Sequence, residues 1–156
     1  MKVLMRVLPC SLLLIPAVLF AAQDQKEKWE RVYTGEDSII EINLSNVTFV
    51  QYNASRQVTF AYNTGRVAFR TVYSKPEALK DTPGAKYKNR RETIEFNCAA
   101  NRYRLHEATL LDEKGKIVKV IAWDPSAEWR EIKHGGMMDK LSGAACKLID
   151  EKRRSQ

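Results

Sequence analysis

Few side chains in this sequence could act as a nucleophile, a base or a metal ligand. After the first 22 residues there are two histidines, His106 and His134, and two cysteines, Cys98 and Cys146. Hydrolases and transferases need a nucleophile beside a base, or two convergent carboxylates. Neither histidine has a second histidine or a cysteine within two to five residues, as zinc ligands usually do. The sequence therefore predicts no catalytic site, no metal and no cofactor. A pocket joining His106 to a carboxylate would be needed to indicate an enzyme.

Basic side chains are the other chemical feature, and they suit the binding of anions. They gather in the middle of the chain as Lys86, Lys88, Arg90, Arg91, Arg102 and Arg104. If these segments pair as strands, the residues can share a face that binds sulphated glycans, anionic lipid head groups or acidic protein patches. The alternative interpretation is an ordinary solvated strand face.

The first 22 residues resemble an export signal. Lys2 and Arg6 precede an apolar run from 7 to 20, and Ala21 and Ala22 follow it. This pattern is typical of a secretory signal peptide, and the run is too short to span a bilayer. A retained N-terminal anchor is the alternative. Cys10 lies inside the apolar run in a poor lipidation context.

Cleavage would lower the net charge of +7 by two and leave a domain at 23–150 with a charged, frayed tail at 151–156. Export disfavours nucleic acid as a partner.

If the chain is exported, Cys98 and Cys146 lie in an oxidising compartment, where two cysteines usually form a disulfide. The bridge would close a loop of about 48 residues and contribute roughly 4 kcal/mol in the chain-entropy model. Two buried free thiols are the alternative.

Short segments rich in β-branched and aromatic residues indicate the elements that position these groups. The predicted strands are 29–33, 38–44, 47–52, 57–62, 66–73, 87–97, 102–111 and 117–123, with a short extended piece at 129–133. Turns recur about every ten residues, which is typical of an antiparallel meander. Ile94, Phe96 and Cys98 alternate with polar neighbours, as in a half-buried strand. The pattern lapses over 74–86, which predicts a loop with one helical turn at 77–80.

The C-terminal segment predicts a helix over 137–149. Its apolar residues recur at helical spacing, Asp139 lies in the first turn and Cys146 lies on the flank of the apolar arc. The predicted fold class is α+β, in which an antiparallel sheet of about six strands carries a C-terminal helix tied to it by the disulfide.

Three stretches occur together in the second half of the sequence. They are Ile94-Glu95-Phe96-Asn97-Cys98 running into Arg102-Tyr103-Arg104-Leu105, the turn Asp112-Glu113-Lys114-Gly115, and Trp129-Arg130-Glu131-Ile132 before a helix containing Cys146. In this combination they resemble the bacterial surface-adhesin protein E family. The resemblance implies a six-stranded antiparallel sheet with a disulfide-tied helix. His134-Gly135-Gly136 stands where family members carry Pro-Gly-Ser, which removes a serine N-cap from the helix. The layout of a strand cysteine and a C-terminal cysteine is also similar to that of a second bacterial exported family, the proteins that resemble cryptic neisserial protein 1.

Together with the resemblance, these observations predict a non-catalytic exported binding domain of a Gram-negative bacterium, located in the periplasm or on the cell surface. The resemblance implies a host matrix protein as the partner, and the basic residues indicate an acidic envelope component; either would be bound by the basic face or the 74–86 loop. The alternative is a periplasmic structural or assembly protein without a ligand.

Overall fold

The computed structural model describes residues 27–50, 63–122, 124 and 126–156. These residues form seven strands and one helix. The elements are β1 Trp29–Thr34, β2 Ser38–Phe49, β3 Thr64–Ala78, β4 Lys86–Asn97, β5 Arg102–Leu111, β6 Ile117–Ile121, β7 Arg130–Glu131 and α1 Met137–Arg154. Strands β1 to β6 lie side by side in chain order, each antiparallel to the next, and β7 pairs with the start of β5. The predicted α+β meander with a C-terminal helix is confirmed.

The core lies between α1 and one face of the sheet, called here the helix face; the opposite face is called the far face. Successive side chains of a strand point to opposite faces, so alternate apolar residues collect on one side. The core residues of the sheet are Ile40, Ile42, Val67, Phe69, Ile94 and Phe96, and those of the helix are Leu141, Ala145, Leu148 and Ile149. Each large side chain buried there contributes about 1.5–3 kcal/mol.

Gly65 on β3 permits a close approach of the helix to the sheet. A Cβ atom at this position would lie 2.9 Å from Ile149 Cγ1 and 3.0 Å from Ile149 Cδ1. Any larger residue must therefore displace α1 or change the packing of Ile149.

We expect Gly65→Ala to lower the free energy of unfolding by about 1–3 kcal/mol, because overpacking a close contact forces the backbone or the rotamers to shift. Gly143→Ala is the matched control: a Cβ atom there meets nothing within 4 Å, and alanine favours the helix by up to about 1 kcal/mol. Urea denaturation of both variants measures the difference. Equal stability of the two would contradict the close packing of α1 on β3.

The disulfide between Cys98 and Cys146 is present, as the sequence predicts. It joins the residue after β4 to the middle of α1, with the two Cα atoms 5.8 Å apart. The bridge therefore fixes the helix against the end of a central strand.

β2 is longer than predicted, because two expected strands form one. The pairing of β2 with β3 shifts register between Ile42 and Val47, and the strand then continues to Phe49. Such a bulge bends a strand without ending it, so the prediction of a separate strand beginning at Val47 is wrong. The predicted strand at 57–62 lies outside the described residues.

The predicted loop at 74–86 is also shorter, since β3 continues to Ala78 and β4 begins at Lys86. Glu77 pairs with Tyr87 and is not in a helical turn as predicted. Pro76 falls within the register shift between Val72 and Glu77, where β3 has no residues paired with β4. Its missing N–H therefore removes no hydrogen bond between these strands. Only residues 79–85 form the connection, and Asp81 in it forms an ion pair with Lys119 on β6.

The helix begins where predicted, at Met137, but it ends at Arg154 and not at residue 149. Most of the tail that the sequence predicts to be frayed is therefore helical. Arg154 and Asp150 form an ion pair four residues apart, with Nη2 and Oδ2 at 2.6 Å, which supports the last turn. At the start, Gly136 provides no side-chain cap. Asp139 instead accepts a hydrogen bond from the backbone N–H of Gly135 at 2.8 Å.

Candidate binding groove and the buried carboxylate behind it

The helix face is only partly covered by α1, and a groove lies beside the helix. α1 packs mainly against β1 and β2. Over β4 and β5, the opposite wall consists of Asp124, residues between 126 and 130, and the start of α1. The space between them is a cavity of about 840 Å³, a size typical of sites that bind small ligands or short peptide segments. This cavity is called the groove below.

The floor and one wall of the groove are apolar. Ile94 and Leu105 project from β4 and β5, and Met138 and Leu141 project from α1. Met137 lies at the rim and is 44% exposed. A concave surface with apolar walls and an exposed methionine favours the burial of a ligand's apolar group.

Arg90 and Glu92 bring opposite charges into the same groove. Because Ile94 points to the helix face, the residues two and four positions earlier on β4 point there as well. Arg90 Nη2 lies 2.6 Å from Glu92 Oε2. Arg90 Nε is buried and has no hydrogen-bond partner among the described residues. The guanidinium is therefore held in place but is not fully satisfied.

Tyr73 contributes a neutral phenol to the groove. Its ring meets that of Tyr87 edge to face, with centroids 5.5 Å apart. Burial, reinforced by the neighbouring Tyr87, raises the pKa of Tyr73 to about 12. The hydroxyl is therefore protonated at neutral pH and can donate or accept a hydrogen bond.

On the far face, Glu95 is a fully buried carboxylate between two arginines. The sheet register places it opposite Arg66 on β3 and opposite Arg104 on β5. Glu95 Oε2 lies 2.9 Å from Arg66 Nε, and Oε1 lies 3.1 Å from Arg104 Nη2. The carboxylate has 0% exposure, and a buried charge needs such partners to offset its loss of hydration. At Glu95 and Arg104 this side of the sheet is therefore buried and is not the solvated strand face of the alternative interpretation, whereas Arg91 on the same side is 55% exposed.

Aromatic and imidazole groups surround this ion-pair cluster. The guanidinium carbon of Arg104 lies 4.7 Å from the ring centroid of Trp129, a cation–π geometry that shields the charge from water. His106 follows two residues later on β5. Burial, followed by the positive charge of Arg66, lowers the pKa of His106, and the nearby carboxylates of Glu107 and Glu95 only partly oppose this effect.

A stability change with pH follows from His106. Since its pKa in the folded chain is below the ordinary value of 6.5, the unfolded chain binds a proton more readily. Neutral His106 therefore contributes to the free energy of unfolding. This contribution is fully present above about pH 6.5 and is lost as the pH falls toward the lowered pKa of His106 in the folded chain. We expect urea midpoints to decline between about pH 6.5 and 5, and His106→Gln to reduce that decline. His134→Gln, at a fully exposed side chain, should leave it in place; equal effects would contradict the assignment.

The six basic residues of the predicted face do not all lie together. Arg90 points into the groove, whereas Arg91, Arg102 and Arg104 point to the far face. Arg104 is buried next to Glu95. Arg102 forms an exposed ion pair with Glu131, in which Nη2 lies 3.4 Å from Oε1. Arg91 Nη1 lies 4.0 Å from Glu27 Oε2.

The two lysines of that face lie at the start of β4. Lys86 pairs in register with Ala78, and the Lys88 Nζ donates to the Ser74 carbonyl at 3.2 Å. Whether the exposed members bind a ligand stays a prediction.

The remaining candidates for chemistry do not line the groove. His134 is exposed beside Asp139, with Nδ1 and Oδ2 at 3.0 Å, and His106 does not line the groove. Across the described ranges, no group of three histidine, cysteine or acidic side chains is arranged to hold a metal ion. In the same part of the chain, no helix has the length and apolar character required to cross a bilayer.

Sequence reasoning missed the groove and the role of Glu95. The role of Glu95 could have been predicted from the sequence, because a four-residue connection at 98–101 between β4 and β5 places Arg104 opposite Glu95. The groove had no such signal, since its walls come from β2 to β5, Asp124, the stretch 126–130 and α1.

The comparison with protein families agrees with this architecture. The family model described as surface-adhesin protein E matches residues 29–147, a range that extends from β1 through the disulfide-bonded part of α1. No curated protein matches the chain. Because the match spans the sheet, both cysteines and most of the helix, the chain belongs to the surface-adhesin protein E family.

Proposed function

We propose that this chain is an exported, non-catalytic binding domain that attaches to a protein of the host matrix or the cell envelope through the groove. Membership of a surface-adhesin family supports an adhesin-like role at the cell surface. The observation that carries the proposal is the groove itself, a preformed cavity of about 840 Å³ with apolar walls and a partly unsatisfied guanidinium.

The groove fits this role better than the far face does. On the far face, Arg70 forms an ion pair with Glu41, and Arg66 and Arg104 share Glu95. These pairs neutralise most of the charge that would attract an anionic partner. In the groove, by contrast, exposed apolar surface lies beside a partly exposed guanidinium whose one ion-pair partner in the described chain is Glu92.

The test measures binding of the purified oxidised domain to immobilised matrix proteins and to an envelope extract, with Met137→Glu as the variant. A charge at this rim position opposes burial of an apolar group, while glutamate suits the first turn of a helix. We expect binding to weaken by about 10-fold or more. The matched control is Val120→Glu, at an apolar residue on β6 that is 58% exposed and does not line the groove.

Two outcomes would redirect the proposal. If Met137→Glu binds normally while Arg91→Ala with Arg102→Ala does not, the predicted basic face is the site instead. Arg104 is omitted from that variant because its loss would disturb Glu95. Cell fractionation with surface protease digestion locates the protein: a protected periplasmic chain that co-purifies with an envelope protein and binds no matrix protein favours the assembly role.

A further inference from the structure

We infer that the groove selects a polypeptide segment carrying a carboxylate next to a large apolar side chain, with Arg90 as the carboxylate's anchor. This inference rests on the proposed function, because it names the ligand class of the same site. It follows from the donors of Arg90, the state of the lining carboxylates and the position of the methionines.

Arg90 has unused capacity to donate hydrogen bonds. A guanidinium has five N–H donors, and among the described residues its only ion-pair partner is Glu92, at 2.6 Å from Nη2. Nε is buried without an acceptor, and the side chain is 31% exposed where it lines the groove. Because Nε itself is buried, an acceptor arriving through the groove would bond the terminal N–H groups of Arg90 that Glu92 does not use. A carboxylate suits a planar guanidinium best, because two of its oxygens can accept parallel bonds.

Three acidic residues, Glu92, Asp124 and Glu128, line the groove together with Arg90 and Arg130. A ligand carboxylate is therefore attracted by the guanidinium groups themselves and not by the net charge of the groove. Glu92 is already paired with Arg90. Asp124 Oδ1 accepts hydrogen bonds from the Ser126 hydroxyl at 2.6 Å and from the Ser126 N–H at 2.8 Å. These bonds hold the pKa of Asp124 below its usual range and occupy its oxygen. Arg130 also lines the groove, and in the described part of the chain no ion pair occupies its charge.

The apolar half of the ligand is assigned to the helix side of the groove. Met137 and Met138 line it together with Leu105. Methionine side chains adapt to ligands of different shape, so this wall accepts an aromatic or a branched side chain. A carboxylate on Arg90 and an apolar group on the methionines can belong to adjacent parts of one peptide.

The carboxylate can be a chain terminus or an acidic side chain, and four probes separate these sources. N-acetylphenylalanine carries the terminal group and N-acetylphenylalanine amide lacks it. N-acetyl-glutamyl-phenylalanine amide carries the side-chain group, and its glutaminyl counterpart lacks it. Each is titrated into the isotope-labelled oxidised domain, and chemical shifts of the amides of Arg90, Leu105 and Met138 report binding in the groove.

We expect at least one carboxylate probe to bind about 10-fold or more tightly than its neutral counterpart, since a hydrogen bond to a charged group is lost in the latter. Arg90→Gln should abolish that preference. Arg91→Gln, the adjacent residue on the far face, should retain it. Thermal unfolding of each variant confirms that the fold is kept, and Arg90→Lys tests whether charge without the planar fork restores part of the preference.

Equal binding of charged and neutral probes, a preference that survives Arg90→Gln, or no binding of any probe would overturn the inference. The fate of the proposed function is read separately, from matrix and envelope binding of Met137→Glu. If that binding needs Met137 but is unaffected by Arg90→Gln, the groove is the site and the carboxylate assignment is wrong.

Discussion

Replacing Glu95 by alanine is expected to lower the free energy of unfolding by about 3–5 kcal/mol, among the largest effects of any single substitution in this chain. The carboxylate has 0% exposure and bonds Arg66 and Arg104 at 2.9 and 3.1 Å. Without it, two guanidinium groups lie near each other, and Arg104 is itself buried beneath Trp129. An uncompensated buried charge costs far more than the pair contributed when intact.

Urea denaturation of the oxidised domain measures this loss. Glu131→Ala is the matched control, because it also removes a glutamate paired with an arginine, but one whose side chain is 79% exposed. Exposed pairs contribute at most about 1 kcal/mol. Glu95→Gln keeps the shape and removes the charge, so it should also destabilise the domain. If Glu95→Ala and Glu131→Ala have similar midpoints, the cluster has no structural role.

Removing the disulfide is expected to cost roughly 4 kcal/mol, since Cys98 and Cys146 are 48 residues apart and the bridge restricts the unfolded chain. The double variant Cys98→Ala with Cys146→Ala should unfold at lower urea than the oxidised parent. The native contacts of α1 with β1 and β2 persist, so a weakened fold is expected rather than none.

The control for this experiment is the reductant. Reduction should move the parent's midpoint close to that of the double variant and leave the variant unchanged. A parent whose midpoint is insensitive to reduction would show that the bridge contributes nothing to stability.

Much of the fold could be predicted because its signals are local. The alternation in Ile94 and Phe96 and the turn at 112–116 depend on neighbouring residues only, and they located β4, β5 and β6 well. Because an exported chain folds in an oxidising compartment, a disulfide bond between Cys98 and Cys146 was the default expectation. Boundaries were wrong where a bulge let a strand continue, as in β2 after Ile42 and in β3 after Val72.

The candidate site could not be predicted in the same way. Glu95 is polar and was assigned to solvent by alternation alone, yet Arg66, 29 residues earlier, and Arg104, nine residues later, cover it. Arg90 and Arg91 are neighbours in sequence but point to opposite faces, so a count of basic residues overstated their common surface. The groove depends on which strands the helix covers, and that is a property of tertiary packing.

The sequential strand order has a consequence for how the protein is made. Each of the strands β1 to β6 pairs with its neighbour along the chain, so the sheet depends mainly on contacts of short sequence separation. The helix α1 follows these strands in the sequence but packs mainly on β1 and β2, so its docking must close a loop that contains most of the described chain. A sheet that forms before α1 docks leaves Ile42, Phe69 and Phe96 uncovered, and such an intermediate is prone to aggregation.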